Sequence, residues 1–242
     1  IAVTALLPII LFPLSGGLDL SATSGSFGHK YVFLYMGGFI IAIAIEKWNL
    51  HRRIALNIIS LIGSDVRKII LGFMVATAFL SMWISNTATA VMMLPIGLAI
   101  IKQLQDNPDT IEDENQTFGK ALMLAIAYSA SIGGLATLIG TPPNLVLAGV
   151  VLDTYGYEIT FMQWFIFGLP ISVILIFICW KYLTKYAFTF KQKTFPGGKE
   201  EIKRLLSKLG KISYEEKVVA FVFALTAFCW ITRSFLLQKI LP

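Results

Sequence analysis

Charged residues are scarce in this sequence of 242 residues. Asp, Glu, Lys and Arg together make up 14% of it, whereas about a quarter of an average soluble domain is charged. The residues AVILMFWYC supply 56%, and the mean hydropathy is +0.75. This composition argues against a water-soluble protein and favours a chain that folds within a lipid bilayer.

The sequence also has few of the residues that enzymes and metal sites use. Its two histidines, His29 and His51, fall in predicted loop or interface positions, and its two cysteines, Cys179 and Cys229, stand alone in apolar runs. HExxH, GxSxG and paired intramembrane carboxylates are absent, which argues against metalloprotease, serine hydrolase and proton-relay functions. Isolated cysteines form neither a metal knuckle nor a disulfide framework. We therefore predict a protein that is not an enzyme.

Long runs without any charge dominate the rest of the chain. They cover residues 1–18, 31–45, 69–101, 121–152, 159–180 and 218–232. A helix in the core of a soluble protein interrupts its apolar face with polar residues every few positions, so runs of this kind are typical of membrane-embedded helices. We predict an all-α polytopic membrane protein.

The run at 69–101 is too long for one straight crossing of the membrane. As a single helix it would measure about 50 Å, against a hydrocarbon core about 30 Å thick. Ser85, Asn86 and Thr87 divide it, leaving two arms within 67–104 that are each about 25 to 27 Å long. Short arms around a polar tip favour a re-entrant helical hairpin. Two full spans would give the same even number of crossings.

Residues 118–152 contain a second run that is too long for one span. Its interior reads SIGGLATLIGTPPN from Ser131 to Asn144, and proline and glycine both interrupt a continuous helix. We predict a broken membrane helix. Its first half ends near Ser131, and Pro142 and Pro143 open its second half.

Helix breaks inside a membrane place helix ends beside each other. Unpaired carbonyls at a helix C-terminus attract cations, and unpaired amides at an N-terminus attract anions. Ser81 lies one turn before Ser85, so hydroxyls, the Asn86 amide oxygen and free carbonyls could form a neutral oxygen cage that suits Na⁺. Taken singly, Ser81, Ser85 and Thr89 also fit helix packing, and Asn86 fits a helix cap. Two breaks in successive segments favour an ion-coupled transporter.

The positive charge of the chain is concentrated in one place. The net charge is +6, and residues 181–217 hold ten of the twenty Lys and Arg residues. Cytoplasmic loops of membrane proteins carry an excess of Lys and Arg. This rule explains a single basic connection better than nucleic-acid binding does. With that connection in the cytoplasm, 153–158 lies outside and the basic residues within 46–68 lie inside.

Two further segments can be interpreted from their pattern. Residues 15–30 are rich in Gly and Ser, which predicts a loop. In residues 46–63, apolar residues from Trp48 to Ile62 recur at helical spacing among Arg and Asn residues. That pattern predicts an amphipathic helix lying in the membrane interface.

Two motifs resemble those of a known family. Residues 85–95 read SNTATAVMMLP and residues 139–144 read IGTPPN. This combination and spacing resemble the signature stretches of the divalent anion/sodium symporter (DASS) family, most closely its bacterial INDY-type dicarboxylate transporters. The resemblance runs over the whole chain, but it matches only the N-terminal half of such a transporter.

The resemblance implies one inverted repeat of a homodimeric protein in which a transport domain moves against a scaffold. It implies the following division: scaffold helices and the interfacial helix at 1–62; a transport domain at 63–186, with hairpin 67–104, broken helix 118–152 and span 159–186; a basic cytoplasmic connection at 187–217; and a scaffold helix at 218–242.

The resemblance also implies site residues. It places a sodium ion at Ser81, Ser85, Asn86 and Gly134, and a substrate carboxylate at Asn86 and Thr87. The second SNT motif of the family is absent from this sequence. Half of the substrate site and a second sodium site are therefore expected in a missing C-terminal repeat. The chain opens at Ile1 with no initiator Met, and we expect it to be an excerpt of a longer protein.

The expected function is sodium-coupled symport of C4 dicarboxylates, such as succinate, malate and fumarate, by alternating access in a bacterial inner membrane. The expected partners are the dicarboxylate, the lipid bilayer and a second copy of the chain, without nucleic acid. A sodium- or proton-coupled transporter of another anion, such as sulfate, citrate or arsenite, is the closer alternative, because neutral donors do not specify the anion. A channel or an intramembrane enzyme is a more distant one.

Overall fold

The computed structural model describes residues 2–63, 65–106, 112–190 and 198–240. Within these ranges the chain forms helices and no β-strand. The helices are α1 (Ala2–Ser15), α2 (Leu20–Phe27), α3 (Lys30–Lys47), α4 (Leu50–Ile62), α5 (Val66–Ser81), α6 (Asn86–Gln105), α7 (Glu112–Gly134), α8 (Pro142–Tyr155), α9 (Phe161–Lys181), α10 (Gly198–Lys208), α11 (Tyr214–Thr232) and the short α12 (Gln238–Ile240). Single π-helical turns follow α9 and α11.

Four helical stretches in the described ranges are long and apolar enough to cross a membrane. They are Leu20–Lys47, Asn86–Gln105, Phe161–Ala187 and Tyr214–Ile240. Their outward faces carry many exposed aliphatic and aromatic side chains, as expected where lipid replaces water as the solvent. The prediction of an all-α polytopic membrane protein is confirmed.

The prediction of a loop over residues 15–30 is wrong, because α2 occupies part of it. Asp19 caps this helix, and its carboxylate accepts a hydrogen bond of 2.6 Å from the amide of Ala22. The hydroxyls of Thr23, Ser24 and Ser26 donate to carbonyls three or four residues earlier in the chain. The Asp19 cap stabilises the start of a helix whose composition alone predicts a turn, and the hydroxyl bonds satisfy the polar side chains within it.

Helices α5 and α6 form a helical hairpin, and residues 82–85 are its tip. The arms differ by a few residues from the predicted ones. The first helix ends at Ser81, where the Met82, Trp83 and Ile84 amides close the last turns onto carbonyls of α5. The second begins at Asn86, because Ser85 supplies its cap. The polar tip therefore holds a helix C-terminus and a helix N-terminus side by side.

Helix α7 packs along both arms of this hairpin. Their shared core contains Phe73 and Met74 from α5, Met93 from α6, and Ala121 and Leu122 from α7, all fully buried. The broken helix is present as α7 and α8 with the break at 135–141. Helix α7 continues three residues beyond the predicted end at Ser131, so its last carbonyls reach the level of the hairpin tip.

Helix α4 packs against the first arm of the hairpin. Gly72 lets the two backbones approach, since a Cβ there would lie 3.1 Å from the Ile59 Cα. The most buried apolar residues of α4 are Ala55, Leu56 and Ile59, whereas Leu61 on the other side is 85% exposed. The helix is therefore amphipathic, with its apolar face held by α5.

Arg53 joins α4 to the start of α11. Its Nε and Nη2 donate to the two carboxylate oxygens of Glu216, both at 3.0 Å. Nη1 and Nη2 also donate to the carbonyls of Gly210 and Leu209. Glu216 is buried and also accepts a hydrogen bond of 2.8 Å from the Ser213 amide. This bidentate pair fixes the basic end of the molecule, although residues 191–197 of the predicted connection lie outside the described ranges.

Candidate functional site

Ser85 organises the hairpin tip. Its Oγ accepts a hydrogen bond from the Ala88 amide at 3.4 Å, and its carbonyl accepts one from the Thr89 amide at 2.9 Å. Ser85 is thus the N-cap of α6, which leaves the first amides of the helix, those of Asn86 and Thr87, without partners inside the helix. The positive end of the α6 dipole is directed at this tip.

Ser81, Asn86 and Ala130 bring three oxygen atoms together below the tip. The Ser81 Oγ lies 2.7 Å from the Asn86 Oδ1 and 2.7 Å from the Ala130 carbonyl oxygen. A hydroxyl has one proton, so at any moment it can donate to only one of these two acceptors. Ser81 is fully buried. Three neutral oxygens with more lone pairs than protons form a site that attracts a hard cation.

Gly134 ends α7 against the Asn86 side chain. A Cβ at position 134 would meet Asn86 Oδ1 at less than any normal contact distance, and a Cβ at Gly140 would meet the Gly134 backbone in the same way. Only glycine at 134 lets the end of α7 lie beside the Asn86 amide. The close approach places the last residue of α7 against the Asn86 side chain, which supplies one of the three oxygens.

Asn144 secures the end of α7 from the other side of the break. Its Nδ2 donates to the Gly134 carbonyl at 3.0 Å and to the Thr137 carbonyl at 2.8 Å. Asn144 is 5% exposed and lies in the first turn of α8, which begins at Pro142. One amide group therefore holds both halves of the broken helix in register.

Thr137 connects the broken helix to the hairpin. Its hydroxyl donates to the carbonyl of Met82 at the end of α5, and its Oγ1 accepts a hydrogen bond of 3.0 Å from the Gly140 amide. Thr137 is fully buried. The two breaks that the sequence predicts independently thus form one polar cluster.

The polar cluster is neutral. No Asp, Glu, Lys or Arg lies within 69–101 or 121–152, and no group of three or more His, Cys, Asp or Glu residues suited to a metal ion is found in the described ranges. Hydroxyl, amide and carbonyl oxygens are ligands for a monovalent cation. Thiolate and imidazole ligands, which a transition metal would need, are absent from this cluster.

The structure brings most of the predicted site residues together. Asn86 lies against both Ser81 and Gly134, and Ser85 caps the adjoining helix. Thr87 follows Asn86, and its side chain is exposed at the tip. Position 87 therefore faces outward from the polar cluster, where a substrate could reach it.

Sequence reasoning missed Ala130, Thr137 and Asn144 as members of this cluster. Ala130 contributes only a carbonyl, which has no side-chain signal. Thr137 stands in an apolar stretch with nothing to distinguish it. Asn144 ends the IGTPPN motif, and its place just after two prolines was a usable signal, since an amide in a first helical turn can cap a neighbouring helix end.

Comparison with known proteins agrees with this geometry. The sequence profile of the family described as "Citrate transporter" matches residues 1–241. Two similar relatives are named sodium-dependent dicarboxylate transporter SdcS, from Staphylococcus aureus strains USA300 and NCTC 8325 / PS 47. Each is 52% identical over 241 residues, which cover 99% of this chain and 46% of the relative. The chain spans about half the length of these curated relatives. The resemblance to anion transporters predicted from the two motifs is confirmed.

Proposed function

The chain belongs to the citrate transporter family, and on that basis we propose that it forms one repeat of a sodium-coupled symporter for C4 dicarboxylates. The relatives with 52% identity are named sodium-dependent dicarboxylate transporters. Since the chain covers 46% of their length, the proposal concerns the protein in which this repeat is accompanied by a second one.

The observation that carries the proposal is the position of the Ser81 hydroxyl between the Asn86 and Ala130 oxygens. We propose that sodium binds there, with Ser85 and the Gly134 carbonyl completing the site on this repeat. When bound, the ion supplies a full positive charge to a cluster that contains only partial charges. Asn86 and Thr87 then present amides and a hydroxyl to one carboxylate of the substrate.

Cation and anion binding would be linked in this arrangement. A dianion near a neutral, buried tip lacks a compensating charge, and an uncompensated buried charge is strongly unfavourable. Sodium beside Asn86 offsets that cost, so each ligand raises the affinity of the other by the same factor. This linkage is the basis of coupling.

The remaining features of the proposal concern organisation. We propose that 63–186 moves as a transport domain against a scaffold of 1–62 and 218–242, and that two copies of the complete protein form a homodimer in the bacterial cytoplasmic membrane. The basic connection at 187–217 would lie in the cytoplasm.

Uptake of radiolabelled succinate by the full-length protein in proteoliposomes tests the proposal. Uptake should require an inward sodium gradient and should disappear when choline replaces sodium. Excess unlabelled malate or fumarate should compete. Equal uptake without sodium, or uptake driven by a proton gradient alone, would contradict the coupling mechanism. Competition by citrate or sulfate but not by malate would assign the site to another anion.

A further inference from the structure

Glu158 forms ion pairs with two helices at the end of the molecule opposite the basic connection. It lies in the segment between α8 and α9. Its carboxylate oxygen Oε1 is 2.9 Å from the Lys30 Nζ at the start of α3 and 3.8 Å from the Arg233 Nη1 just after α11. One acidic side chain is therefore shared by two cations that come from opposite ends of the sequence.

Aromatic residues and a small cavity lie behind the ion pairs of Glu158. We call the ion pairs and these residues together the junction. Phe161, at the start of α9, stacks on Trp230 of α11 with 5.9 Å between ring centroids. A cavity of about 60 Å³ lies behind the ion pairs, and its lining includes Tyr31, Glu158, Trp230 and Arg233. Tyr31 is 7% exposed, and its hydroxyl is buried with no hydrogen-bond partner among the described residues. A buried polar atom beside a cavity of this size is suited to bound water.

The junction connects the two proposed domains, the scaffold and the transport domain. Lys30 and Arg233 lie in segments assigned to the scaffold, whereas Glu158 and Phe161 lie in the segment assigned to the transport domain. We propose that Glu158 is a latch residue that holds the transport domain against the scaffold in the state described by this structure and must release Lys30 and Arg233 for the domain to move. This inference rests on the proposed function.

The energetics suit a reversible contact. Glu158, Lys30 and Arg233 are each between 39% and 58% exposed, and exposed ion pairs contribute little to stability. A strong, buried pair would trap one state, whereas a weak shared pair biases the equilibrium without blocking it. The pair between Arg53 and Glu216, with side chains 17% and 7% exposed, illustrates the opposite case of a fixed contact.

Cross-linking tests whether the junction must open. In a cysteine-free background of the full-length protein, Lys30→Cys and Glu158→Cys are joined with a short bifunctional methanethiosulfonate, which a reductant removes. Cross-linking should abolish sodium-driven succinate uptake, and reduction should restore it. The matched control is Glu158→Cys alone with the same reagent, which cannot join the two segments.

A second measurement needs no transport. Leu138 lines the cavity behind the latch and is 1% exposed, so the reaction rate of a Leu138→Cys thiol with a maleimide in detergent reports on opening. In the Glu158→Gln background this rate should rise about three- to tenfold, the range expected for losing two exposed ion pairs. Asp113→Asn, which removes an exposed carboxylate elsewhere, should leave the rate unchanged. In a variant that already carries Lys30→Gln and Arg233→Gln, adding Glu158→Gln should not change the reaction rate further.

The outcomes separate the two proposals. Sodium-dependent uptake that persists after cross-linking, or a Leu138→Cys rate unaffected by Glu158→Gln, would overturn the latch while the proposed function stands. If the unaltered full-length protein shows no sodium-dependent uptake at all, the proposed function fails. The maleimide rate then decides by itself whether Glu158 holds the junction closed.

Discussion

The Ser81 hydroxyl oxygen lies 2.7 Å from the Asn86 amide oxygen, which links the last residue of α5 to the first residue of α6 across the hairpin tip. Both atoms can accept a hydrogen bond, and the Ala130 carbonyl lies equally close to the hydroxyl. The contact makes the turn between the two helices part of the proposed sodium site. Substitutions in this cluster should therefore affect sodium and substrate together.

Ser81→Ala removes one of the three oxygens. In the full-length protein it should raise the sodium concentration for half-maximal succinate uptake by roughly tenfold, the effect of losing one hydrogen-bonding partner worth about 1.5 kcal/mol. Asn86→Ala should impair sodium dependence and, in addition, substrate affinity. Ser131→Ala is the matched control, because Ser131 is exposed and bonds only to the Ala127 carbonyl of its own helix. An unchanged sodium dependence in Ser81→Ala would contradict the assignment.

Gly134→Ala should abolish sodium-driven uptake without unfolding the protein. The added Cβ collides with the Asn86 amide oxygen, so either the Asn86 side chain or the end of α7 must shift, and either movement changes the proposed sodium site. The measurement is sodium-dependent uptake beside gel filtration of the purified protein. Gly37→Ala is the control, since a Cβ there meets nothing within 4 Å. Full activity in Gly134→Ala would show that the close approach is not needed.

Asn144→Leu should destabilise the protein. It leaves the Gly134 and Thr137 carbonyls without their shared donor, and a buried acceptor that loses its partner costs about 1 to 3 kcal/mol. Thermal unfolding in detergent should therefore begin at a lower temperature. Asn57→Leu provides the comparison, because the exposed Asn57 amide donates only to the Arg53 carbonyl of the same helix. Equal unfolding temperatures for the two variants would refute the bridging role.

His51 should make stability depend on pH. Burial disfavours the charged ring and lowers the pKa of His51 below its ordinary value, and the ring nitrogen Nδ1 lies 3.3 Å from the Ile45 carbonyl. The unfolded chain takes up a proton near pH 6.5, whereas the folded protein does so only at lower pH. The stability that comes from keeping His51 neutral is therefore fully present above about pH 6.5 and is lost as the pH falls below that value.

The unfolding temperature measured at pH 7.5 and at pH 5.5 checks this sign. The decrease at the lower pH should be smaller in His51→Gln than in the unaltered protein. His29→Gln should keep the full decrease, since the pKa effect belongs to the buried ring at position 51. A decrease that is the same in all three proteins would assign the pH dependence to other groups.

The two helix breaks could be predicted from the sequence because each has a local cause. A charge-free run of 33 residues at 69–101 is too long to cross a membrane as one helix, and SNT is its longest polar stretch. The second break also has a local cause. Pro142 and Pro143 lack the amide donors that a helix interior needs, so they fit the start of a helix. The fold class and the grouping of Ser81 with Asn86 follow from such features, whereas Gly134 is implied by the family resemblance.

The rest depends on three-dimensional packing. The Ala130 carbonyl enters the site because α7 packs along both hairpin arms, which no local pattern indicates. Thr137 reaches Met82 across 55 positions of sequence. Helix α2 begins at the Asp19 cap, a signal that the surrounding glycine and serine composition obscures. The junction of Lys30, Glu158 and Arg233 requires three separate segments to meet.

The bidentate pair of Arg53 and Glu216 also constrains the order of biogenesis. The two residues are 163 positions apart, and at a synthesis rate of 5 to 20 residues per second the ribosome needs about 10 to 30 seconds to reach the second after the first. During that interval α4 can already fold onto α5, but the Glu216 carboxylate that binds Arg53 has not yet been synthesised. The basic end of the repeat therefore closes last, after nearly all of its helices have left the ribosome.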